Sequence, residues 1–315
     1  SLWRMKINSL AFVEHQCPTY NSSLFFQSFL NIKQDSRLRG NDGDLSTVGW
    51  VKTQQSLKII GNVGFGNPTY KTASKQIKGN TMHPIAQIRQ IRIGQPENFA
   101  RNQQSAINKQ PVSGKTAVTP SSLAGDGVGD PRFHSGADKA VHVYALHHYD
   151  TWRHELPEAQ NMHAGGFGEN FCLDGADEHS VCIGDEWQIG TARFAVSQGR
   201  QPCWKLNERF GIADMALRVQ QSLRCGWYLR VLAAGEVAAG DEVFLLARPF
   251  PEWTVARVLA LIDSRCCDAE TMRAVLQLPL PESWARLFSR RLETGECEDW
   301  QLRLFGADGD GKKAA

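Results

Sequence analysis

Glu186-Trp187-Gln188-Ile189, followed by Ala192-Arg193-Phe194-Ala195-Val196-Ser197, is the stretch that decides the fold class. Both runs are short, apolar at intervals and rich in aromatic and β-branched residues. They are bounded by turn signals at Gly184-Asp185 and by a breaker at Gly199. That is how strands read in a sequence. The pattern recurs at Val141-His142-Val143-Tyr144, at 227–232 and at 242–246, with turns at Gly165-Gly166, Asp174-Gly175, Gly235 and Gly240-Asp241. Many short strands at this spacing predict a barrel or a sandwich. Helical spacing interrupts them at 146–155 and at 212–220, where Ile212, Met215, Ala216 and Val219 share one face.

Beyond Pro249 and Pro251 the apolar period lengthens. Val255, Val258, Leu259 and Ile262 fit one helix, and Met272, Val275 and Leu276 fit a second that Asp268 would cap. Trp284, Leu287, Phe288 and Leu292 fit a third, with Pro281 near its start. The chain therefore divides into residues 1–81, a β-rich domain over 82–248, a three-helix domain over 249–306 and a polar tail over 307–315.

Residues 1–81 differ from the rest. They carry ten Lys and Arg against four acids, which leaves 25 basic and 29 acidic residues elsewhere. A mildly acidic remainder argues against nucleic-acid binding driven by bulk charge. The first 81 residues are rich in Asn, Ser, Gln, Thr and Lys and poor in apolar period, too poor to offset the entropy of ordering. The break at Met82 predicts a natural start there, with translated upstream sequence before it. A disordered basic tail is the alternative.

The chain has 315 residues, 42% of them hydrophobic and 22% charged, enough for a sizeable core. No apolar run is long enough to span a bilayer, and no segment reads as an export signal. Eight cysteines (Cys17, Cys172, Cys182, Cys203, Cys225, Cys266, Cys267 and Cys297) contain no C-x-x-C pair, which argues against structural zinc. Adjacent Cys266 and Cys267 are poorly placed to bond each other. Together these features predict reduced thiols and a cytoplasmic protein.

One cysteine stands in a special setting. Arg200-Gln201-Pro202-Cys203-Trp204-Lys205-Leu206-Asn207 places a thiol after a strand, with cations on either side. Cations favour the thiolate, the form that ligates metal or acts as nucleophile. A small buried hydrophobe is the plainer reading of a free cysteine. Phe133-His134-Ser135-Gly136-Ala137-Asp138-Lys139, with Arg132 before it, reads as an anion-recognition loop or as a polar approach to a strand. Phe167-Gly168-Glu169-Asn170-Phe171 offers close backbone approach plus polar side chains, or an ordinary turn. His147, His148, His154 and His163 lack metal-site spacing. Gly125-Asp126-Gly127-Val128-Gly129 precedes no strong helix, so a dinucleotide fold is a poor fit. No P-loop, G-x-S-x-G or H-E-x-x-H occurs.

In order, Gly125-Asp126-Gly127, Asp130, His134-Ser135-Gly136, Asp138-Lys139-Ala140-Val141, Gly168-Glu169-Asn170, Gly184-Asp185, Arg200-x-Pro202-Cys203-x-Lys205-Leu206-Asn207, Gly226-Trp227-Tyr228, Gly235-Glu236-Val237 and Gly240-Asp241 closely resemble the MOSC domain, the family of molybdenum-cofactor sulfurase C-terminal-like domains. Within it the chain is similar to the YiiM-like branch, which adds three C-terminal helices. The resemblance spans residues 82–306. Ser135 stands where the family usually has glycine, and Phe171 where it usually has leucine.

The resemblance implies an α+β fold, mainly a β-barrel with a small three-helix domain. It implies a molybdenum cofactor carried on a molybdopterin, with Cys203 as the metal ligand. Arg132, Lys139, Arg200 and Lys205 would hold the pterin phosphate, and Gly136 would let the backbone approach the cofactor. Glu169, Asn170 and Asn207 would meet polar pterin edges or water, and His134 would share that role or donate a proton. The catalytic set becomes Cys203, His134 and Glu169. The implied reaction is two-electron N–O cleavage in N-hydroxylated compounds such as hydroxylaminopurine bases, with electrons from a separate flavin-containing reductase. The sequence admits a homodimer and implies neither a nucleic-acid polymer nor a membrane as partner. The alternative function is a cofactor-binding or sulfur-carrier module using a Cys203 persulfide.

Overall fold

The computed structural model describes residues 83–131 and 135–307. The expectations made for residues 1–82, Arg132, His134 and 308–315 lie outside the described residues.

The first strand, β1 (Ala86–Ile93), shows how local pattern and tertiary packing meet. Ile85, Ile88 and Ile91 recur every three residues, a spacing that one face of a regular strand cannot bury. The pairing of β1 with β7 (Phe171–Asp174) shifts register between Ile88 and Gln90. That bulge re-phases the strand, so both Ile88 and Ile91 are buried.

Two short hairpin strands follow, β2 (Glu97–Asn98) and β3 (Gln104–Ser105), then β4 (Gln110–Val112), which pairs with β1. The next strand, β5 (Lys115–Val118), pairs outside the main sheet with β11 (Gly235–Ala238). The central strand β6 (Val141–Ala145) is buried along its whole length, flanked in parallel by β7 and in antiparallel by β10 (Trp227–Ala233). The two short runs that begin at Glu186 and Ala192 form β8 (Glu186–Ile189) and β9 (Ala192–Gly199), and β12 (Glu242–Ala247) completes the set. Hydrogen bonding runs β1–β12–β8–β9–β10–β6–β7 and back to β1, a closed seven-stranded barrel with β4 added at β1. Closure removes sheet edges. The interior is filled by large side chains, among them Trp187, Phe194, Phe171 and Trp227, with Trp187 and Trp227 meeting edge to face at 6.1 Å.

Strand β9 ends at Gly199, as the breaker there predicts. Gly199 pairs with Trp227. Its missing side chain serves packing: a Cβ there would lie 2.8 Å from Leu259 of α4 (Val255–Asp263). The glycine lets the first C-terminal helix lie directly on the barrel.

The other helices are α1 (His147–Glu155), α2 (Lys205–Phe210), α3 (Met215–Ser222), α5 (Ala269–Val275), α6 (Glu282–Thr294) and α7 (Gln301–Phe305). The caps follow the sequence. Thr254 accepts from the Arg257 amide ahead of α4, a contribution of about 1 kcal/mol, and Asp268 accepts from the Thr271 amide ahead of α5. Helix α6 buries Trp284, Phe288 and Arg291, and barrel and helices pack as one compact unit. The short α7 has too few apolar residues at helical spacing to show in the sequence. No helix among the described residues is long and apolar enough to cross a membrane.

Candidate functional site

Where β9 ends, Arg200 continues the ladder through its amide to the carbonyl of Gly226 (2.9 Å), and the chain then turns at Pro202-Cys203 into α2. This turn forms one side of a cavity of about 280 Å³ that is open to solvent. Cys203 and Lys205 reach it from the turn and the first residue of α2. Gly136 and Lys139 come from a 3-10 turn (Ala137–Lys139) before β6, His142 from β6, Tyr228 from β10, and Asn170 from the loop before β7. Lys109 and Asp126 close the far wall. Six of the expected site residues are therefore brought together: Gly136, Lys139, Asn170, Arg200, Cys203 and Lys205.

Two expected residues are placed elsewhere. Glu169 is fully buried in the wall, where its Oε1 accepts from Tyr149 Oη (2.7 Å), the Gly165 amide (2.6 Å) and Cys172 Sγ (3.3 Å). It braces the 165–169 loop and does not line the cavity. Asn207 faces the opposite side of α2, donating to the Leu304 carbonyl (2.8 Å) and accepting from the Ala216 amide (2.7 Å). Gly168 does line the cavity. Its close neighbour is Ile107, 2.8 Å from where a Cβ would stand, and its φ of +72° suits glycine.

Asn170 lines the cavity with its side chain already engaged. Oδ1 accepts from the His142 amide (3.0 Å), and Nδ2 donates to the Arg92 carbonyl (3.1 Å) and to Asp126 Oδ2 (2.8 Å). It ties β1, β6 and the 125–130 loop together. Asp126 in turn pairs with Lys109, and both side chains are more than nine-tenths buried. Burial pulls the Lys109 ammonium below its usual range, while Asp126 opposes the shift. Neither Lys109 nor His142 was assigned a role from sequence. A histidine inside the apolar run of β6 was the available signal for His142.

The electrostatics favour an anion. Described lining residues include four cations, Lys109, Lys139, Arg200 and Lys205, against two acids, Asp126 and Asp130. Burial lowers the Lys139 pKa, with Asp138 and then Cys203 opposing. Burial, then the Arg200 charge, holds His142 well below the usual imidazole range, so its ring is neutral at neutral pH. Burial raises the Tyr228 phenol, against the Arg200 charge. Arg200 is itself buried, and its Nη1 has no hydrogen-bond partner among the described residues. A buried guanidinium nitrogen costs free energy unless something accepts from it. Gly136, at φ +113°, has no atom of the described residues within 4 Å of where a Cβ would be.

The Cys203 turn is held from behind by α7. Arg303 Nη1 donates to the Pro202 carbonyl (2.6 Å), its Nη2 donates to Gln220 Oε1 (2.6 Å), and its carbonyl accepts from the Trp204 amide (2.8 Å). Arg101 adds a second grip, donating to the Phe305 carbonyl (2.8 Å) and lying 4.6 Å over the Trp204 ring. Residues this distant in sequence carried no signal of the contact.

A family model described as the MOSC domain matches residues 130–244, and one described as the YiiM-like 3-alpha helix domain matches residues 253–295. Protein YiiM of Escherichia coli (strain K12) is 35% identical over 218 residues, covering 69% of this chain and 97% of the relative. The chain belongs to the YiiM-like family of MOSC-domain proteins. The crystal structure of YiiM from Escherichia coli superposes with a TM-score of 0.60 at 31% identity, covering 72% of this chain and 100% of that one. A protein of Gibberella moniliformis named Reductase is 33% identical over 209 residues, covering 65% of this chain but 37% of the relative. The three-helix match falls on α4, α5 and α6, while α7, which holds the Cys203 turn, lies beyond it.

Proposed function

We propose that this chain is an oxidoreductase that holds a molybdenum–pterin cofactor in the Cys203 cavity and reduces N-hydroxylated compounds such as hydroxylaminopurine bases. Membership of the MOSC family supports cofactor association, and the Gibberella relative named Reductase supports the reaction class. One structural observation carries the reading: a non-disulfide cysteine lines the same cavity as four cations, one of them with a buried nitrogen that lacks an acceptor.

The residues present fit such a cofactor. Arg200, Lys139 and Lys205 supply charge-assisted donors for a phosphate. Lys205 spends one donor on the Gln104 carbonyl (2.9 Å), which fixes its position on the rim. Gly136 leaves room for a ring system against the backbone. The Cys203 thiolate is a suitable soft ligand for the metal. Among the described residues no group of three His, Cys, Asp or Glu could hold a metal, so the protein would contribute this one thiolate. Bound there, the cofactor supplies the two-electron reduction of an N–O bond.

The chain's own residues bind, orient and protonate. Tyr228 keeps its proton on Oη at neutral pH, since burial raises its pKa. Burial lowers the Lys139 pKa, which makes its Nζ a readier proton donor than a free lysine. Neutral His142 adds no charge beside Arg200. A separate flavin-containing reductase would supply the electrons.

The test is expression in a cofactor-competent host and elemental analysis of wild type beside Cys203→Ser, followed by assay on N-hydroxylated purines with an added flavin reductase. Stoichiometric molybdenum in wild type, lost in the variant, is expected. Folded protein free of molybdenum in both would overturn the reading and favour a persulfide at Cys203.

A further inference from the structure

Far along the chain from the cavity, two thiols come together. Cys267 lies just beyond α4 and Cys297 just beyond α6, 30 residues apart in sequence, yet their Sγ atoms are 3.2 Å apart. Both are half-buried and neither is bridged, so an oxidant can reach them. Both thiols donate to one oxygen, the Arg265 carbonyl, at 3.5 Å from Cys267 and 3.1 Å from Cys297. Arg265 adopts φ +55°, a left-handed conformation uncommon for a side chain of its size.

The surroundings hold the two thiols in register. Arg291, buried on α6, donates to the carbonyls of Leu261 (2.7 Å) and Cys266 (3.1 Å) and pairs with Glu298 (2.8 Å). One guanidinium thus joins the residue before Cys267 to the residue after Cys297. The Arg265 guanidinium lies 4.2 Å over the Trp300 ring, a second tie between the same two segments. Approach by about 1 Å would bring the sulfurs to bonding distance.

We infer that Cys267 and Cys297 form a reversible dithiol–disulfide site, oxidised by a peroxide or by a small-molecule disulfide such as oxidised glutathione. Burial, then the hydrogen bond with Cys267, pushes the Cys297 thiol up to about 11. Either sulfur can react first with the same product, and the balance is the same when the first is Cys267. With hydrogen peroxide its thiolate takes one oxygen and becomes a sulfenic acid, releasing one water after protonation. Cys297 sulfur then attacks Cys267 sulfur, losing its proton and displacing the second water. Two thiols and one peroxide give one disulfide and two waters, with two electrons passed to the peroxide. The bond would close a loop of about 30 residues around α5 and α6 and fasten the segment that runs into α7.

The test treats the full chain with oxidised glutathione, then maps thiols and cross-linked peptides by mass spectrometry. Cys266→Ser is run in parallel, because it removes the neighbouring sulfur from the same peptide. The expected result is a linked pair of peptides carrying Cys267 and Cys297 in both proteins, reversed by a dithiol reductant. Oxidation should raise Tm by roughly 5 °C in wild type and leave Cys297→Ser and Cys267→Ser unmoved. Two thiols that stay alkylatable, or that each end as a mixed disulfide with glutathione, would overturn the assignment.

Discussion

Arg303 donates to the Pro202 carbonyl at 2.6 Å, so the last described helix grips the residue immediately before Cys203. The contact bridges about 100 residues of sequence and fixes the turn that presents the thiol to the cavity. Burial pulls the Arg303 pKa down, while Cys203 is the first of the charges that oppose the shift. Replacing Arg303 with Met would leave the Pro202 carbonyl and Gln220 without their donor, at a cost of about 1–3 kcal/mol. Urea unfolding should show that loss, and Cys203 should alkylate faster in the folded variant. Arg303→Lys should recover part of both effects. An unchanged alkylation rate in folded Arg303→Met would refute the clamp.

The Lys109–Asp126 pair is buried on both sides. Lys109→Met strands a carboxylate whose other partners are the Gly94 amide and Asn170, and should cost about 3–5 kcal/mol. The double variant Lys109→Met/Asp126→Asn should cost less than the single one, because no charge is left unpaired. Chemical denaturation of the three proteins checks the order. A double variant less stable than Lys109→Met would contradict it.

Gly129 packs against the backbone of β3: a Cβ would stand 2.5 Å from Ser105 Cα and 2.6 Å from the Gln104 carbonyl oxygen. The same carbonyl anchors Lys205. Gly129→Ala should therefore push the β2–β3 hairpin off the rim, costing about 1–3 kcal/mol and weakening retention of the proposed cofactor. Thermal melts and metal content of the purified variant are the measurements, and wild-type values for both would refute the packing argument.

His142 supplies a pH test. Its folded pKa lies well below the unfolded value of about 6.5, so the unfolded chain takes up a proton that the folded chain refuses. Its contribution is complete above pH 6.5 and is lost as pH falls toward the folded value, by up to about 1.4 kcal/mol per pH unit. Unfolding free energies between pH 7 and pH 5 should fall less steeply in His142→Gln. Parallel slopes would show that other groups control the acid limb.

The strands and helices were legible because each has its own period and its own punctuation. β8 and β9 stand where alternation placed them, and Thr254 and Asp268 cap helices by side-chain chemistry that works within three residues. Gly199 ends β9 as the sequence predicts, but that it also admits Leu259 leaves no mark in the sequence. The three-residue spacing of Ile88 and Ile91 became a strand through a bulge, which only pairing with β7 reveals.

The sequence by itself determined the repertoire: a β-rich chain, three C-terminal helices, and a cysteine flanked by Arg200 and Lys205 in a recognisable order of motifs. Those properties are local, set by side-chain period, turn chemistry and neighbouring charge. Tertiary structure alone decided that Glu169 and Asn207 brace the walls, that Lys109 and His142 join the cavity, that Arg303 holds the Cys203 turn, and that Cys267 meets Cys297. Each of these depends on which way a side chain faces once the barrel has closed. A motif places a residue at a position along the chain, and packing decides whether its side chain turns toward the cavity or into the wall.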